Sequence, residues 1–330
     1  MRKIISLFFI LFSSINLYSD DYQLGEGLKV SDFPVYVGGY FSIDYKHEND
    51  YDRYRIDDLA ILSYGKKDKF SYMAEFEFKE LYVKEYDQNT STTEHNSKFH
   101  IERLYIDYTI NDNYSIRVGK YNSPIGYWNL MPINVLRETT SSPVSTYIIF
   151  PKFTTGVTLK YQNYESETLD VEFLAQQNED IDDEYNNYKI DEHYGVSVEY
   201  EKDTFSLKFN GGYFHLNKSQ IESSRYYAML SAQIERERYQ ILCEIGRQYS
   251  NNLVSTPYAL YLQGLYYFND HNIGVLRFES YKDKVMNKDD EIVIFGYTYR
   301  PLYPVALKAE YQIHSEEAND KLLFSFSVLF

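Results

Sequence analysis

Apolar and polar residues alternate along most of this chain in short runs. In the run KLLFSFSVLF, Lys321 to Phe330, three phenylalanines and a valine share one parity, and two serines share the other. The same period of two recurs in FSYMAEFEFK, Phe70 to Lys79, and in RLYIDYTI, Arg103 to Ile110. Because successive side chains of a strand point to opposite faces, the pattern predicts strands with one apolar and one polar face.

The pattern predicts about sixteen strands, and a length of about 9–13 residues suits a tilted strand that crosses a bilayer. Ile56 and Leu59 have opposite parity, which predicts a bulge near Asp57 and Asp58. The predicted strands are 35–46, 53–64, 69–80, 98–110, 113–121, 154–163, 167–176, 193–201, 203–214, 224–235, 238–248, 257–268, 271–281, 290–299, 304–314 and 321–330.

The links between these strands alternate in length. Short links such as ND at 111–112 and EKD at 201–203 alternate with longer polar links at 81–97, 177–192, 282–289 and 315–320. Outer-membrane barrels have this asymmetry, with short periplasmic turns and longer outside loops. A soluble sandwich or propeller has no reason to produce it. The sequence therefore predicts an all-β fold, a transmembrane antiparallel up-and-down barrel of about 16 strands.

Composition supports a membrane barrel. Tyrosine contributes 37 residues and phenylalanine 21, and aromatic rings favour both strands and the membrane–water interface. The mean hydropathy is −0.50, and no stretch after the N-terminus is long and apolar enough for a membrane helix. A membrane protein of this composition has to cross with strands that close into a barrel.

The N-terminus has the layout of a secretory signal peptide, predicted over residues 1–19. A basic start, Arg2 and Lys3, precedes an apolar core from Ile4 to Phe12 and small polar residues up to Ser19. A membrane anchor is the alternative, but the core is shorter than the about 20 residues that span a bilayer. We expect residues 20–330 to form one barrel domain in the bacterial outer membrane, in contact with its lipid.

The acidic balance excludes one class of partner. The net charge of −16 becomes about −18 without Arg2 and Lys3, and a nucleic-acid partner is not expected because phosphate binding needs a basic surface. The single cysteine, Cys243, excludes an internal disulfide and a thiol-rich metal site.

Charged residues occupy the polar faces of the predicted strands. Burying them in a dry interior would cost several kcal/mol for each poorly paired ion, and a water-filled lumen removes that cost. The alternative for any one residue is that it only pairs with a neighbour. The predicted pore-lining residues are Lys79, Arg103, Arg117, Lys120, Lys160, Glu75, Glu77, Asp107 and Glu172, and further inward charges include Lys208, Arg277, Lys308, Glu235, Glu244, Glu279 and Glu310.

The link from Asn122 to Phe153 is the longest, at about 32 residues, and becomes the third outside loop. Four prolines keep it from being a strand, and its apolar residues need a surface to bury against. The inner barrel wall offers one, so the sequence predicts a loop folded into the pore. The alternatives are a loop over the mouth and a contact between protomers. Its predicted constriction residues are Tyr127, Trp128, Arg137, Glu138 and Lys152.

Motifs for metal binding and catalysis are weak. The acidic run NEDIDDE, Asn178 to Glu184, offers oxygen ligands but lacks the glycine and spacing of an EF-hand, and we interpret it as a solvated outside loop. There is no HExxH or GxSxG pattern. We therefore predict no metal, no cofactor and no enzymatic activity.

Part of the chain resembles a known family. RVGKYNSPIGYWN, Arg117 to Asn129, resembles the strand-to-third-loop junction of the phosphate-selective porin O and P family. VGGYFSIDY, Val37 to Tyr45, is similar to its first strand, and TTGVTLKY, Thr154 to Tyr161, to the strand after the loop. The resemblance covers roughly the first half of the chain. It implies a sixteen-stranded, usually trimeric porin with the third loop in the pore.

The resemblance also bears on insertion of the chain and on its selectivity for anions. A final strand ending in Phe330 resembles the signal read by the barrel insertion machinery. Selective members of the family carry a lysine-rich and arginine-rich pathway for anions, whereas this loop has Arg137 with Lys120 and Lys152 near its ends.

We therefore expect a homotrimeric porin for passive diffusion of small hydrophilic solutes and ions. The predicted lumen is mixed and somewhat acidic, which favours a general or weakly cation-preferring pore, and anion selectivity stays open from the resemblance. The alternative is a structural or adhesive surface barrel with a blocked lumen. A third hypothesis, a membrane-embedded hydrolase, has no motif in its favour.

Overall fold

The computed structural model describes residues 22–30, 34–87, 90–95, 97–164, 167–217, 224–250 and 255–330. The predicted signal peptide lies outside the described residues. No helix in the described part of the chain is long and apolar enough to cross a bilayer.

Sixteen long antiparallel strands form one closed barrel. Each strand pairs with the next along the chain, and the last pairs with the first, with Phe326 opposite Ile43. The predicted fold is confirmed, and each predicted strand matches one strand of the barrel. The strands are β1 (Val35–Glu48), β2 (Tyr51–Lys67), β3 (Phe70–Asp87), β4 (Lys98–Thr109), β5 (Tyr114–Asn122), β6 (Phe153–Tyr164), β7 (Thr168–Gln176), β8 (Ile190–Lys202), β9 (Phe205–Leu216), β10 (Ser224–Arg236), β11 (Tyr239–Tyr249), β12 (Thr256–Asn269), β13 (Asn272–Asp283), β14 (Lys288–Leu302), β15 (Val305–His314) and β16 (Lys321–Leu329).

Short elements lie outside this ring. The strands Tyr22–Gln23 and Gly27–Lys29 pair with each other, and the second also pairs with β1. The strand Thr90–Glu94 pairs with the end of β3. A short 3₁₀-helix, Glu317–Asn319, lies between β15 and β16.

The alternation of the sequence sets the two faces of the barrel. In β9, Phe205, Leu207 and Phe209 are exposed on the outer face, while Lys208 and Asn210 are buried on the inner face. The same arrangement of exposed apolar and inward polar residues recurs around the ring. An apolar outer face and a polar interior are the arrangement that lipid outside and water inside require.

The two ends of the barrel differ in their connections. One end has links of two to four residues, such as 68–69, 203–204 and 270–271. The other end has the long links, including 123–152 and 177–189. This end also contains the two-residue turn 49–50, because β1 and β2 keep pairing to Glu48 and Tyr51.

Two of the predicted long links are shorter by at least four residues in the structure. The predicted link 81–97 is partly strand, because β3 continues to Asp87, and the predicted link 282–289 shrinks to 284–287. Backbone pairing continues there after the apolar alternation has ended. In β3 the alternation of apolar and polar residues changes at Glu80, which has φ +53°. The sequence pattern therefore predicts an earlier end for this strand than the structure has.

The predicted bulge near Asp57 and Asp58 is confirmed. The pairing of β2 with β3 shifts register between Ile56 and Asp58, and that of β1 with β2 shifts between Phe41 and Ile43. The bulge leaves both Asp57 and Asp58 buried on the side of the lumen. Adjacent carboxylates would otherwise point to opposite faces, so the irregularity gives the wall one more inward charge.

Candidate functional site: the barrel lumen

The 123–152 loop has local structure of its own. It contains two 3₁₀ turns, Trp128–Leu130 and Asn134–Leu136, and a short helix, Ser145–Ile148. Gly126 has φ +66°, and a Cβ there would lie 2.7 Å from Oε1 of Glu244. Glycine therefore allows the loop backbone to approach a carboxylate of the barrel wall closely.

The start of the loop binds inner-face side chains of β9 and β11. The Gly126 amide donates to Oδ1 of Asn210 at 3.0 Å, and Nδ2 of Asn210 donates to the Pro124 carbonyl at 2.9 Å. The amides of Tyr127 and Trp128 both donate to Oε1 of Glu244. The wall side chains thus complete hydrogen bonds that an irregular segment cannot make within itself.

The middle of the loop binds β13 and β15. The amides of Thr140 and Ser141 donate to Glu310, and the Val144 amide donates to Glu279 at 2.8 Å. Lys308 donates to the main chain and side chain of Asn134. Like the β9 and β11 contacts, these come from the polar face of the wall, so the loop lies against the inner surface.

A buried arginine also holds the middle of the loop. Arg277 forms an ion pair with Glu279 at 2.8 Å and donates to Thr139 and Ser141. Its side chain is 0% exposed. A buried arginine is stable only when carboxylate and carbonyl partners surround it, and the loop supplies several of them.

The apolar residues of the loop are buried against the wall. Ile125, Ile149 and Phe150 join a cluster with Phe214 and Met229. Further along, the loop residues Ile133 and Val135 join a second cluster, whose wall members are Tyr40, Ala60, Leu62 and Ala306. The apolar residues of the loop, which the sequence indicated need a surface to bury against, are buried against the inner wall.

Trp128 lies at the centre of the contact. Its side chain is buried against Leu242 and meets the Tyr261 ring edge to face, with centroids 6.2 Å apart. The guanidinium groups of Arg137 and Arg277 lie 5.7 and 5.5 Å from the Trp128 ring centroid. Aromatic packing and two cation–π contacts hold this part of the loop in place.

The two central charges of the loop have different surroundings. Glu138 turns to the wall and forms an ion pair with Arg300 at 2.8 Å. Arg137 donates to the carbonyls of Met131 and Pro132, both at 2.5 Å, and lines a cavity in the lumen. In the described residues no carboxylate lies within ion-pair distance of Arg137, so its positive charge is not cancelled by its sequence neighbour.

On the opposite wall, the predicted pore-lining charges form pairs with each other. Arg117 donates to both carboxylate oxygens of Asp107, at 2.7 and 3.0 Å, and Lys160 lies 3.4 Å from Asp170 and from Glu172. These pairs connect neighbouring strands of the β4–β7 wall. The sequence analysis gave two roles for each inward charge, lining the pore or only pairing with a neighbour, and these residues do form such pairs.

A denser set of charges lies on β2, β3 and β4. Lys79 forms ion pairs with Asp58 at 2.6 Å and Glu77 at 3.4 Å, and Arg103 pairs with Glu75. Glu75 and Glu77 are 0% and 1% exposed. Glu75 is therefore part of the wall itself, whereas Asp58, Glu77 and Lys79 line the cavity.

Lys120 differs from its expected role. It is 0% exposed and forms an ion pair with Asp180 at 2.8 Å, while its ammonium also donates to the Asp182 carbonyl. Gly119, with φ +131°, interrupts the alternation just before it. The charge of Lys120 is therefore neutralised under the 177–189 loop and is not presented to solutes.

A cavity of about 330 Å³ lies between part of the 123–152 loop and the charged inner face of β1 to β4. Six basic and five acidic side chains line it, so its charge is mixed and nearly balanced. They are Lys46, Arg53, Arg55, Lys79, Arg137 and Lys152 with Asp44, Asp57, Asp58, Glu77 and Glu102. Arg55, which the sequence did not single out, pairs with both Asp44 and Asp57.

Lys152 is the second cavity cation without a carboxylate within ion-pair distance among the described residues. Its ammonium lies 4.8 Å from the Phe153 ring centroid and 5.5 Å from that of Tyr185. Tyr127, in contrast, does not line this cavity, and its ring faces the ammonium of Lys208 at 5.6 Å. Of the five predicted constriction residues, Arg137 and Lys152 line the cavity.

The sequence missed Tyr185 and Arg300. Arg300 lies at the end of β14, where the alternation continues, so the parity of the strand could have identified it. Tyr185 follows the acidic run NEDIDDE, and that run predicts a segment exposed to solvent. The prediction that this run is solvated is wrong in part, because Asp180 is buried. No group of three or more metal-binding side chains occurs within the described ranges.

Comparisons with known proteins agree with this architecture. The model of the family phosphate-selective porin O and P matches residues 41–195, so the resemblance is confirmed over that range. A search of curated proteins gives no match.

Solved porin structures share the fold. An anion-selective porin from Comamonas acidovorans superposes with a TM-score of 0.64 at 10% identity, covering 90% of this chain and 99% of that chain. OmpF of Salmonella typhi, in complex with daunomycin, superposes with a TM-score of 0.63 at 11% sequence identity, covering 90% of this chain and 97% of that chain. OmpT of Vibrio cholerae, in its trimer form, superposes with a TM-score of 0.62 at 10% sequence identity, covering 90% of this chain and 99% of that chain.

At these identities the likeness establishes the fold. Together with the family match, the barrel is that of an outer-membrane porin, a channel for ions and small solutes in the bacterial outer membrane. Family and fold point to a channel and not to an enzyme.

Proposed function

We propose that the chain forms a passive diffusion pore whose narrowest part lies between the 123–152 loop and the wall of β1 to β4. The observation that carries the proposal is the 330 Å³ cavity between these two surfaces, lined by charges of both signs. Charged linings are costly in a dry interior and stable in contact with water. The pathway for solutes therefore runs through this cavity.

The charge of the cavity supports weak selectivity. Most of its cations are paired with carboxylates, while Arg137 and Lys152 are held by carbonyls and aromatic rings. A pore attracts ions opposite in sign to its unpaired lining charges. We therefore propose a general pore with a slight preference for anions at the constriction, smaller than the family name, phosphate-selective, would suggest.

The assembled form of the proposal is a homotrimer in outer-membrane lipid. The trimeric form of OmpT from Vibrio cholerae supports it by analogy of fold. Insertion through β16 and the Phe330 that follows it belongs to the same proposal. Phe330 exchanges two backbone hydrogen bonds with Gly39, both 2.7 Å, at the seam between β16 and β1.

The test is conduction by the purified protein refolded in planar bilayers. We expect open channels, and in a salt gradient a reversal potential close to zero with a slight shift towards anions. Liposome swelling with uncharged sugars then gives the size limit. If correctly folded protein leaves bilayers sealed, the diffusion pore is wrong and a blocked, structural barrel takes its place.

A further inference from the structure

The 177–189 loop, between β7 and β8, is a second segment that folds towards the lumen. An acidic outside loop would be expected to extend into water. Here Asp180 and Asn186 are buried, and Nδ2 of Asn186 donates to the Phe153 carbonyl at 3.0 Å. The acidic residues therefore serve as contacts within the barrel and not only as a solvated surface.

A buried ion pair holds the loop down. Lys120 of β5 contacts Asp180 at 2.8 Å, and both side chains are 0% exposed. Thr155 of β6 donates to the same carboxylate at 2.8 Å. Breaking a buried pair leaves an uncompensated charge, so this anchor resists the lifting of the loop.

A second anchor lies on β4. The Ile101 amide donates to Oδ2 of Asp182 at 2.9 Å, and Nδ1 of His100 lies 3.1 Å from the same oxygen. The loop is thus fixed to β4, β5 and β6, three adjacent strands of the wall that the 123–152 loop leaves open.

The two loops are also joined to each other. The Lys152 amide donates to Oδ1 of Asn187 at 2.7 Å, and Nδ2 of Asn187 donates to the carbonyls of Tyr147 and Phe150 at 2.7 and 2.9 Å. They form one continuous layer that narrows the lumen from two sides.

The anchored loop places Tyr185 at the cavity. Its ring stacks on His100, with centroids 4.6 Å apart, and on Phe153 at 5.5 Å, and its hydroxyl donates to Glu77. Burial, with the negative charges of Glu102 and Glu77, raises the pKa of Tyr185 well above its ordinary value, so the phenol stays protonated and able to donate. A ring stacked on two sides and bonded at its tip has little freedom to move.

We infer that Tyr185 is a size-determining residue of the pore, and that the 177–189 loop forms the second side of the constriction. The inference rests on the proposed pore function and deepens it. The 123–152 loop narrows the lumen from the β9–β16 side, and Tyr185 limits the remaining opening from the β3–β6 side. Its ring also lies beside Lys152, so it helps to hold that cation at the pathway.

The experiment measures single-channel conductance and sugar permeation for a set of Tyr185 variants. We expect Tyr185→Ala to raise conductance by about 1.5-fold and to admit larger sugars, because pore cross-section limits flux. Tyr185→Phe keeps the ring and should conduct like the parent protein. Tyr303→Ala removes a tyrosine that is 75% exposed, at a turn of the opposite barrel end, and is the matched control without effect.

The outcomes separate the inference from the proposed function. If the parent protein conducts and folded Tyr185→Ala has unchanged conductance and sugar limit, the inference is overturned and the pore stands. If the parent is silent but Tyr185→Ala conducts, the loop closes the lumen; the open pore is then wrong, and the placement of Tyr185 is supported. If every variant is silent, both fail. Should Tyr185→Ala not fold, Tyr185→Leu repeats the test with apolar packing retained.

Discussion

The two halves of the lumen wall carry similar side chains and use them differently. On the β9–β16 half, inward charges such as Glu244, Arg277 and Glu310 bind the backbone and side chains of the 123–152 loop. On the β1–β7 half, inward charges beyond the reach of a loop bind each other, as Arg117 binds Asp107, while Lys120 binds the 177–189 loop. Nothing in the residue types distinguishes the two halves.

The difference is set by what covers each half. A loop backbone brings unpaired amides and carbonyls to the wall, and ionised side chains satisfy them with strong hydrogen bonds. Where no such backbone arrives, a charge needs water or an opposite charge beside it. An inward glutamate close to the loop therefore holds the loop backbone in place. An inward glutamate far from the loop lines the lumen, in contact with water or an opposite charge.

The largest effect is expected at an anchor, in Glu244→Ala. The substitution leaves the amides of Tyr127 and Trp128 without their acceptor, and we expect a loss of about 2 kcal/mol in the free energy of unfolding. Since Trp128 is the single tryptophan of the chain, its fluorescence reports the loop directly during denaturant unfolding.

Glu235→Ala is the matched control, because Glu235 shares the inward parity of β10 but is exposed near a short turn. We expect it to leave both stability and fluorescence unchanged. If Glu244→Ala behaved like Glu235→Ala, the loop would be held by its apolar packing alone.

A smaller effect is expected from the charge of the loop that faces the cavity. Arg137→Ala removes a cation without a carboxylate partner, and we expect the cation-to-anion permeability ratio to rise about twofold, as for one charge acting through water over several ångströms. The measurement is the reversal potential across a salt gradient. Glu138→Gln alters a carboxylate that contacts Arg300 away from the cavity, so we expect it to shift the reversal potential less than Arg137→Ala does. Equal and opposite shifts would show that both residues face the pathway.

The smallest effect is expected on the open half, in Arg117→Ala. Its pair with Asp107 is partly exposed, with side-chain exposures of 37% and 23%, so water can replace the lost partner. We expect the free energy of unfolding to fall by less than about 1 kcal/mol, as for other exposed ion pairs. A loss as large as that of Glu244→Ala would remove the distinction between the two halves.

The strands could be predicted from the sequence because lipid outside and water inside impose a period of two on each of them. The place of the 123–152 loop in the strand order followed from counting. The partners of Arg137 and Glu138 did not. Arg137 is bound by carbonyls of an irregular loop, which has no sequence periodicity, and Arg300, the partner of Glu138, is brought near only by the closed barrel. Tyr185 could not be recognised either, because the acidic residues before it suggest solvent exposure until Lys120 is known to lie beneath them.

The contacts of the 123–152 loop also have a consequence for assembly. Asn210, Glu244 and Glu310 follow the loop in the chain by 84 to 170 residues. Contacts this distant in sequence form late, because a long segment must be closed before they can contribute. While the later strands are missing, Ile125 and Trp128 have no surface to cover them, which is the state in which a nascent barrel aggregates. The constriction is thus among the last parts of the molecule to form, and a chain interrupted before β9 would expose the loop that the complete barrel protects.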